Sequence, residues 1–290
     1  MKNSPHIQKN ITNTALLSKT TPNNLEKLDS KISTFKNSNF KGKPMKFLHR
    51  TANQIAEKFG YALIPDWRLD LRAQALCLQQ LFERQQVDLV IDVGANIGQY
   101  YNFLRNHVGY TSWVVSFEPD PNSYQQLKAR LKNDARLRII QKALGSEVGK
   151  AYFNLSAAST LNSFREPDFE SSKHGNKMRQ IVERIEVEVD LIDHLLPGLL
   201  DTLQVSRPYL KMDTQGFDLE VLRGAKISMK RFVGLQFEGS VIPIYKNMPH
   251  LTDMLAYIEP YGFRISDMFA VSKDEQLRAI EFDCVMIRSD

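Results

Sequence analysis

Cysteine is nearly absent. The 290 residues hold two, Cys77 and Cys284, far apart and with no second thiol at C-x-x-C spacing, which excludes a disulfide framework and a cysteine-built zinc cluster. The six histidines form no H-x-x-x-H pair, so no histidine-rich metal site is expected. No run approaches the roughly 18 consecutive apolar residues that a membrane helix needs, and the first residues lack the apolar core of a secretory signal. The first 45 residues contain no arginine, against a transit peptide. Together these absences point to a soluble protein of a reducing compartment, the cytoplasm.

What is present suffices for a folded core: 42% of the residues are hydrophobic and 24% charged, which excludes disorder of the whole chain. The formal charge of +5 is unevenly placed. Residues 1–45 carry eight lysines against two acids, leaving residues 46–290 at −1. The basic surplus therefore belongs to a Lys-, Asn-, Ser- and Thr-rich extension that reads as disordered, and the folded part is near-neutral, with no positive surplus to hold a polyanion.

Helical periodicity begins near Met45 and is clearest after Pro65, where Leu71, Ala75, Leu78 and Phe82 recur on one face. Val87 to Val93 is apolar on both faces, as in the centre of a parallel sheet, and runs into the turn Gly94-Ala95-Asn96-Ile97-Gly98 and a helix carrying Tyr101, Leu104 and Val108. Trp113 to Phe117 repeats the pattern: a strand stopped at Glu118-Pro119, then a helix with Tyr124, Leu127 and Leu131. Strand and helix in alternation predict a crossover sheet. Leu137–Ile140 is a third strand, 151–155 and 185–189 an added pair, and the polar stretch from Ser156 to Arg184 a long active-site loop. Tyr209–Met212 and Phe232–Phe237 supply two more strands, ending at Asp213 and Glu238. The segments 263–271 and 280–287 close the chain as an antiparallel hairpin at the sheet edge. Three regions result: the extension 1–45, a helical segment 46–86 and a domain 87–290.

In such a sheet ligands sit beyond the carboxyl ends of the strands, where Asp92, Gly94, Asn96, Gly98 and Glu118 converge. Asn96 stands where a dinucleotide fingerprint needs glycine, which disfavours NAD. Glu118 is placed to accept hydrogen bonds from both hydroxyls of a ribose. A carboxylate beside the turn repels phosphate and suits a sulfonium or an amino-acid ammonium, which points to S-adenosylmethionine.

The segments Val90–Gln99, Ser116–Pro119, Leu210–Gly216 and Leu222–Ala225, with Gln236-Phe237-Glu238 and Pro243-Ile244-Tyr245, resemble the FkbM family of S-adenosylmethionine-dependent methyltransferases over roughly Val87 to Ile287. The resemblance implies an α/β, class I methyltransferase (Rossmann-like) fold: a doubly wound, mostly parallel seven-stranded sheet with an antiparallel C-terminal hairpin, preceded by N-terminal helices. It also implies O-methylation of a hydroxyl on a sugar, glycan or secondary metabolite. The expected cofactor set is Asp92, Gly94, Asn96, Gly98 and Glu118, with Ala143 after the third strand. This chain departs from the family at Gln215 and Asp218, where members commonly show Glu.

An acceptor hydroxyl must lose its proton to become a good nucleophile. The acids at strand ends, Asp213 and Glu238, are the catalytic candidates, as a base or as ligands of a shared divalent metal, a role left open. The alternative for Asp213 is capping the helix that begins near Phe217. Gln215 and Tyr245 are candidate acceptor contacts, Tyr245 being equally a packing residue with a satisfied hydroxyl. His174 and His250 can approach the cleft; His107 and His194 read as surface or packing residues, and both cysteines as buried small hydrophobes. Two rival readings stand: a nucleic-acid methyltransferase aided by the Lys-rich extension, against which the chain lacks an Asn-Pro-Pro-Tyr or Asp-Pro-Pro-Tyr tetrapeptide, and a non-catalytic module that only binds S-adenosylmethionine.

Overall fold

The computed structural model describes residues 69–131, 133–170 and 176–289. The expected disorder of 1–45, the helical periodicity between 46 and 68, and His174 lie outside the described residues.

Helix α1 (Leu69–Gln85) leads into β1 (Leu89–Val93), every residue of which is buried. The turn after it opens α2 (Gln99–Phe103), which continues as a π-helical turn, Leu104–Val108. Then follow β2 (Trp113–Phe117), α3 (Pro121–Leu131), β3 (Leu137–Ile140), β4 (Ala143–Leu144), β5 (Gly149–Ser156), α4 (Asn176–Arg179) and β6 (Ile181–Asp190). The chain ends with α5 (Ile192–Leu203), β7 (Pro208–Met212), α6 (Asp218–Arg223), β8 (Gly234–Ser240), α7 (Leu251–Ile258), β9 (Phe263–Lys273) and β10 (Ala279–Arg288).

The main sheet has seven strands in the order β3-β2-β1-β7-β8-β10-β9. The first five are parallel; β10 pairs antiparallel with both β8 and β9. This is the expected doubly wound sheet with its antiparallel hairpin, β9 forming the edge. One face is covered by α1 and α2 through Ala75, Leu78, Phe82, Tyr101 and Leu104. The other is covered by α5, α6 and α7 through Ile192, Leu196, Leu200, Leu222, Met254 and Ile258. Helix α5 is an element the periodicity reading passed over, although its buried residues recur at helical spacing.

The added pair of strands is a separate three-stranded sheet, β4-β6-β5. Here the structure corrects two boundaries. Strand β6 starts at Ile181 rather than 185, because Ile181 and Glu183 pair with Ser156 and Leu155. The stretch 156–184 is therefore not one loop; it contains a 3₁₀ turn, Ser159–Leu161, and the short α4. Two burial expectations also change. Leu71, on the first turn of α1, is 40% exposed, and Cys77 is only half-buried whereas Cys284 is fully buried.

Leu78 is wholly buried between α1 and the sheet. Leu78→Ala is expected to lower the unfolding free energy by about 2–5 kcal/mol, read as a drop in the urea midpoint. An unchanged midpoint contradicts the packing of α1 described here.

Candidate active site

Strand order reverses between β1 and β7, the switch point at which open α/β sheets form their crevice. The turn after β1 is built for close approach. Gly94 has φ +80°, and a Cβ there would lie 2.0 Å from the carbonyl oxygen of Asp213, so no other residue fits against the end of β7. The amides of Gly94 and Ala95 donate to the carbonyl oxygen of Phe117 at 3.0 and 3.1 Å, tying the same turn to β2. Gly98, at φ +92°, packs against Leu127 of α3.

Glu118 ends β2 and is buried. Its carboxylate accepts the backbone amides of Asn96 at 2.7 Å and Asp120 at 2.9 Å. A carboxylate has about four lone-pair positions, so about two remain for a ligand. Burial pushes its pKa up to about 7, against the two amides, which lower it. Asn96, itself left-handed with φ 48°, exchanges side-chain contacts with Ser159 at 3.3 Å.

Beyond β7 the acids are held by one amide and one ammonium. Gln215 Nε2 donates to Asp213 Oδ1 at 2.9 Å and to Glu238 Oε2 at 3.0 Å. The Tyr245 hydroxyl lies 3.1 Å from Gln215 Oε1 and 2.9 Å from the Leu161 carbonyl oxygen. Lys211 Nζ stands 3.4 Å from Asp92 Oδ1 and 3.4 Å from Asp213 Oδ2. Asp213 does not cap α6, whose first residue is preceded by no side-chain cap. Asp218 closes that turn instead, accepting from the amide of Thr214 at 2.9 Å, from the Thr214 hydroxyl and from the amide of Glu238 at 3.3 Å. Burial raises the Asp218 carboxyl to about 6 and holds Glu238 well above the usual carboxylate range, with the charge of Asp213 adding to the effect.

A cavity of about 310 Å³ opens between these groups. Of the residues singled out from sequence, Gly94, Asn96, Glu118, Ala143, Asp213 and Gln215 line it. Asp92, Gly98, Glu238 and Tyr245 stand outside that lining: Asp92 is wholly buried beneath the turn, and Tyr245 is buried behind Gln215. His250 is the N-cap of α7, exchanging bonds with Asp253, and His194 lies 3.3 Å from Asp190. The polar end of the cavity holds groups the sequence reading overlooked: Gln74, Tyr100, Lys211, Gln236 and Asp283. One of them had a visible signal, a lysine in the otherwise apolar strand PYLKM.

Residues 92–265, more than half of the chain, match the methyltransferase FkbM domain. The chain belongs to the FkbM methyltransferase family. Among solved structures it is similar to methyltransferase FkbM from Methylobacillus flagellatus KT (18% identity, TM-score 0.44), over 69% of this chain and 43% of that one. It thus spans less than half of that protein's length. It is also similar to magnesium protoporphyrin IX methyltransferase from Synechocystis PCC 6803, solved with bound S-adenosylmethionine (9% identity, TM-score 0.41), over 87% of this chain and all of the other. No curated protein matches it.

The FkbM domain is a class I, S-adenosylmethionine-dependent methyltransferase domain, and the residues present fit that cofactor. Of the two lysines that line the cavity, Lys142 is tied to Asp190 at 2.8 Å and Lys211 stands between Asp92 and Asp213, so each already faces a carboxylate, and Glu118 keeps lone pairs to spare. Among the described residues no cluster of His, Cys, Asp or Glu is placed to hold a metal ion, and no helix is long and apolar enough to cross a membrane.

The Gln215 bridge yields a pH prediction. In Gln215→Glu a third carboxyl replaces the shared donor, so its folded pKa rises above the unfolded value of about 4.3. Such a group is unfavourable once the unfolded chain ionises, so stability is lost as pH rises above about 4.3, by roughly 1.4 kcal/mol per unit of upward shift. The gap in urea midpoint between variant and parent is expected to widen from pH 5 to pH 8. A gap that stays constant or narrows contradicts the bridge.

Proposed function

We propose that this FkbM domain, taken as residues 87–290 with α1 as its cover, transfers a methyl group from S-adenosylmethionine to a hydroxyl of a sugar, glycan or secondary metabolite. The observation that carries the reading is the position of Asp213: its side chain is 43% exposed, it faces the cavity, and its backbone abuts the cofactor turn at Gly94. A proton acceptor and a nucleoside site thus share one crevice.

When bound, the cofactor supplies an electrophilic sulfonium methyl. The chain's residues do the rest. Glu118 takes the ribose hydroxyls on its free lone pairs, the Gly94–Asn96 turn leaves room for the amino-acid end, and Ala143 and Phe153 give the base an apolar wall. Asp92 and Gly98 support the turn from behind. Asp213 receives the proton of the acceptor hydroxyl. Glu238 accepts from Gln215 and so fixes the amide that orients Asp213. Tyr245 fixes the other end of the same amide, a positioning role rather than an acceptor contact. Holding the partners in line is worth roughly 7–11 kcal/mol of barrier. The near-neutral charge of residues 46–290 favours a small or glycan acceptor over nucleic acid, and two free thiols suit the cytoplasm.

Thermal unfolding tests the cofactor site. At 100 times its dissociation constant, S-adenosylhomocysteine is expected to stabilise the protein by about 2.7 kcal/mol, raising the midpoint by several degrees. Glu118→Ala removes most of that shift; Asp213→Asn keeps it and cuts turnover. No shift at millimolar ligand contradicts the reading.

Glu118 adds a pH dependence. Ribose hydroxyls donate to its ionised form, whose pKa is about 7, so affinity for S-adenosylhomocysteine is expected to fall about tenfold from pH 8 to pH 6. Calorimetry showing a pH-independent affinity contradicts the assignment of Glu118.

A further inference from the structure

A rung of polar side chains crosses four parallel strands in register beneath the cavity, and its Lys211 and Gln236 end lines it. Ser116 of β2 pairs with Asp92 of β1, Asp92 with Lys211 of β7, and Lys211 with Gln236 of β8. Helices close over it: the Tyr100 hydroxyl donates to Gln236 Oε1 at 3.1 Å, and Gln74 Nε2 donates to Asp283 Oδ2 at 2.9 Å. Lys211 is the cation in this rung. It is buried, yet it lines the cavity. Its ammonium stands 4.9 Å from the centre of the Tyr100 ring, and burial, which alone would lower its pKa, is overcome by Asp213, Asp92 and Asp283.

An ammonium whose only task was to neutralise Asp92 would sit on that carboxylate at about 2.7–2.9 Å. Lys211 does not. It lies 3.4 Å from Asp92 Oδ1 and the same distance from Asp213 Oδ2, and Asp92 Oδ1, wholly buried, has no aligned hydrogen bond. The ammonium is shared between a buried acid and the cavity-facing acid two residues along its own strand. It has three N–H donors; one makes a long hydrogen bond of 3.4 Å to Asp213 Oδ2, which a closer acceptor oxygen can share or displace. A gap of 3.4 Å between Lys211 Nζ and Asp213 Oδ2 lets a single oxygen atom lie within hydrogen-bond reach of both.

We propose that Lys211 is a catalytic residue, its ammonium donating a hydrogen bond to the acceptor oxygen whose proton passes to Asp213. This rests on the methyltransferase reading above and extends it to a residue outside the cofactor site. The acceptor O–H bond breaks with its proton going to Asp213. An oxygen lone pair forms the new O–C bond as the C–S bond breaks, its electron pair remaining on sulfur. Lys211 keeps its proton throughout and offsets the negative charge that builds on oxygen before the O–C bond is complete. Removing one such preorganised donor lowers turnover by roughly 100- to 1,000-fold in comparable sites.

The test must separate this role from simple neutralisation of Asp92. Lys211→Met alone leaves Asp92 buried and uncompensated and so endangers folding; Asp92→Asn/Lys211→Met removes one charge of each sign. Each protein is incubated with methyl-tritiated S-adenosylmethionine and a small-molecule and glycan extract of the cells that make it, and the thermal shift with S-adenosylhomocysteine is measured in parallel. The expected result is a double variant that keeps the shift of the parent and labels the extract at least about 100-fold more slowly. Labelling within tenfold of the parent shows that Lys211 only balances Asp92 and overturns the proposal. Loss of the shift in the double variant also overturns it, placing the pair in the support of the cofactor turn. A parent protein that neither shifts nor labels fails the methyltransferase reading itself, a distinct outcome.

Discussion

The backbone of the turn after β1 touches the backbone at the end of β7, and the rest of the site depends on that contact. With 2.0 Å between a would-be Cβ of Gly94 and the carbonyl oxygen of Asp213, there is no room for a side chain, and the two strand ends behave as one rigid unit. The turn proposed to face the nucleoside and the carboxylate proposed to face the acceptor are thereby set at a fixed separation. The segment after β5 fastens both from above. Ser159 reaches Asn96, the Ser163 hydroxyl donates to the carbonyl oxygen of Gln215 at 2.7 Å, and Arg165 Nε donates to that of Gly216 at 2.6 Å. A methyl transfer asks for this kind of rigidity, since alignment of the partners is most of what the protein must supply.

The same crowding creates an electrostatic problem. Burial raises the cost of ionising Asp92, Asp218, Glu238, Glu281 and Asp283, and the neighbouring charge of Asp213 adds to it for each. The solutions differ by position. Asp218 is satisfied by backbone amides and the Thr214 hydroxyl, and Glu281 by the hydroxyls of Ser240 and Ser272. Asp213 and Glu238 share the Gln215 amide. Asp92 has the Lys211 ammonium. A glutamate at 215 offers no donor unless it holds a proton, whereas the glutamine in this chain donates to both acids at once.

Much of this was legible in the sequence, for identifiable reasons. Strands β1, β2 and β7 are short runs of apolar residues that have no competing periodicity, and each ends at a residue that cannot continue it, Gly94, Glu118 or Asp213. Hence the mostly parallel sheet could be read. The failures were of two kinds. Helix α5 was missed because Pro197, a residue that ordinarily ends a helix, stands inside its regular apolar spacing, and the start of β6 because exposed charges at Glu183 and Arg184 break its alternation. The polar end of the cavity was missed because it is assembled by register, not by motif. Gln74, Tyr100, Lys211, Gln236 and Asp283 come from five separate elements, and nothing in their local sequence says that the sheet brings them together. Tyr245 was ambiguous for a similar reason: whether its hydroxyl meets a ligand or Gln215 is decided by a contact thirty positions away.

The central claim is spatial: one crevice holds the adenosyl group on Glu118 and leaves the sulfur side open toward Asp213. A crystal structure of the protein with S-adenosylhomocysteine tests it most directly. The account predicts density for the ribose within hydrogen-bond distance of the Glu118 carboxylate and for the sulfur on the Asp213 side of the Gly94 turn. Ligand density elsewhere on the molecule, or a ribose that makes no contact with Glu118, contradicts it.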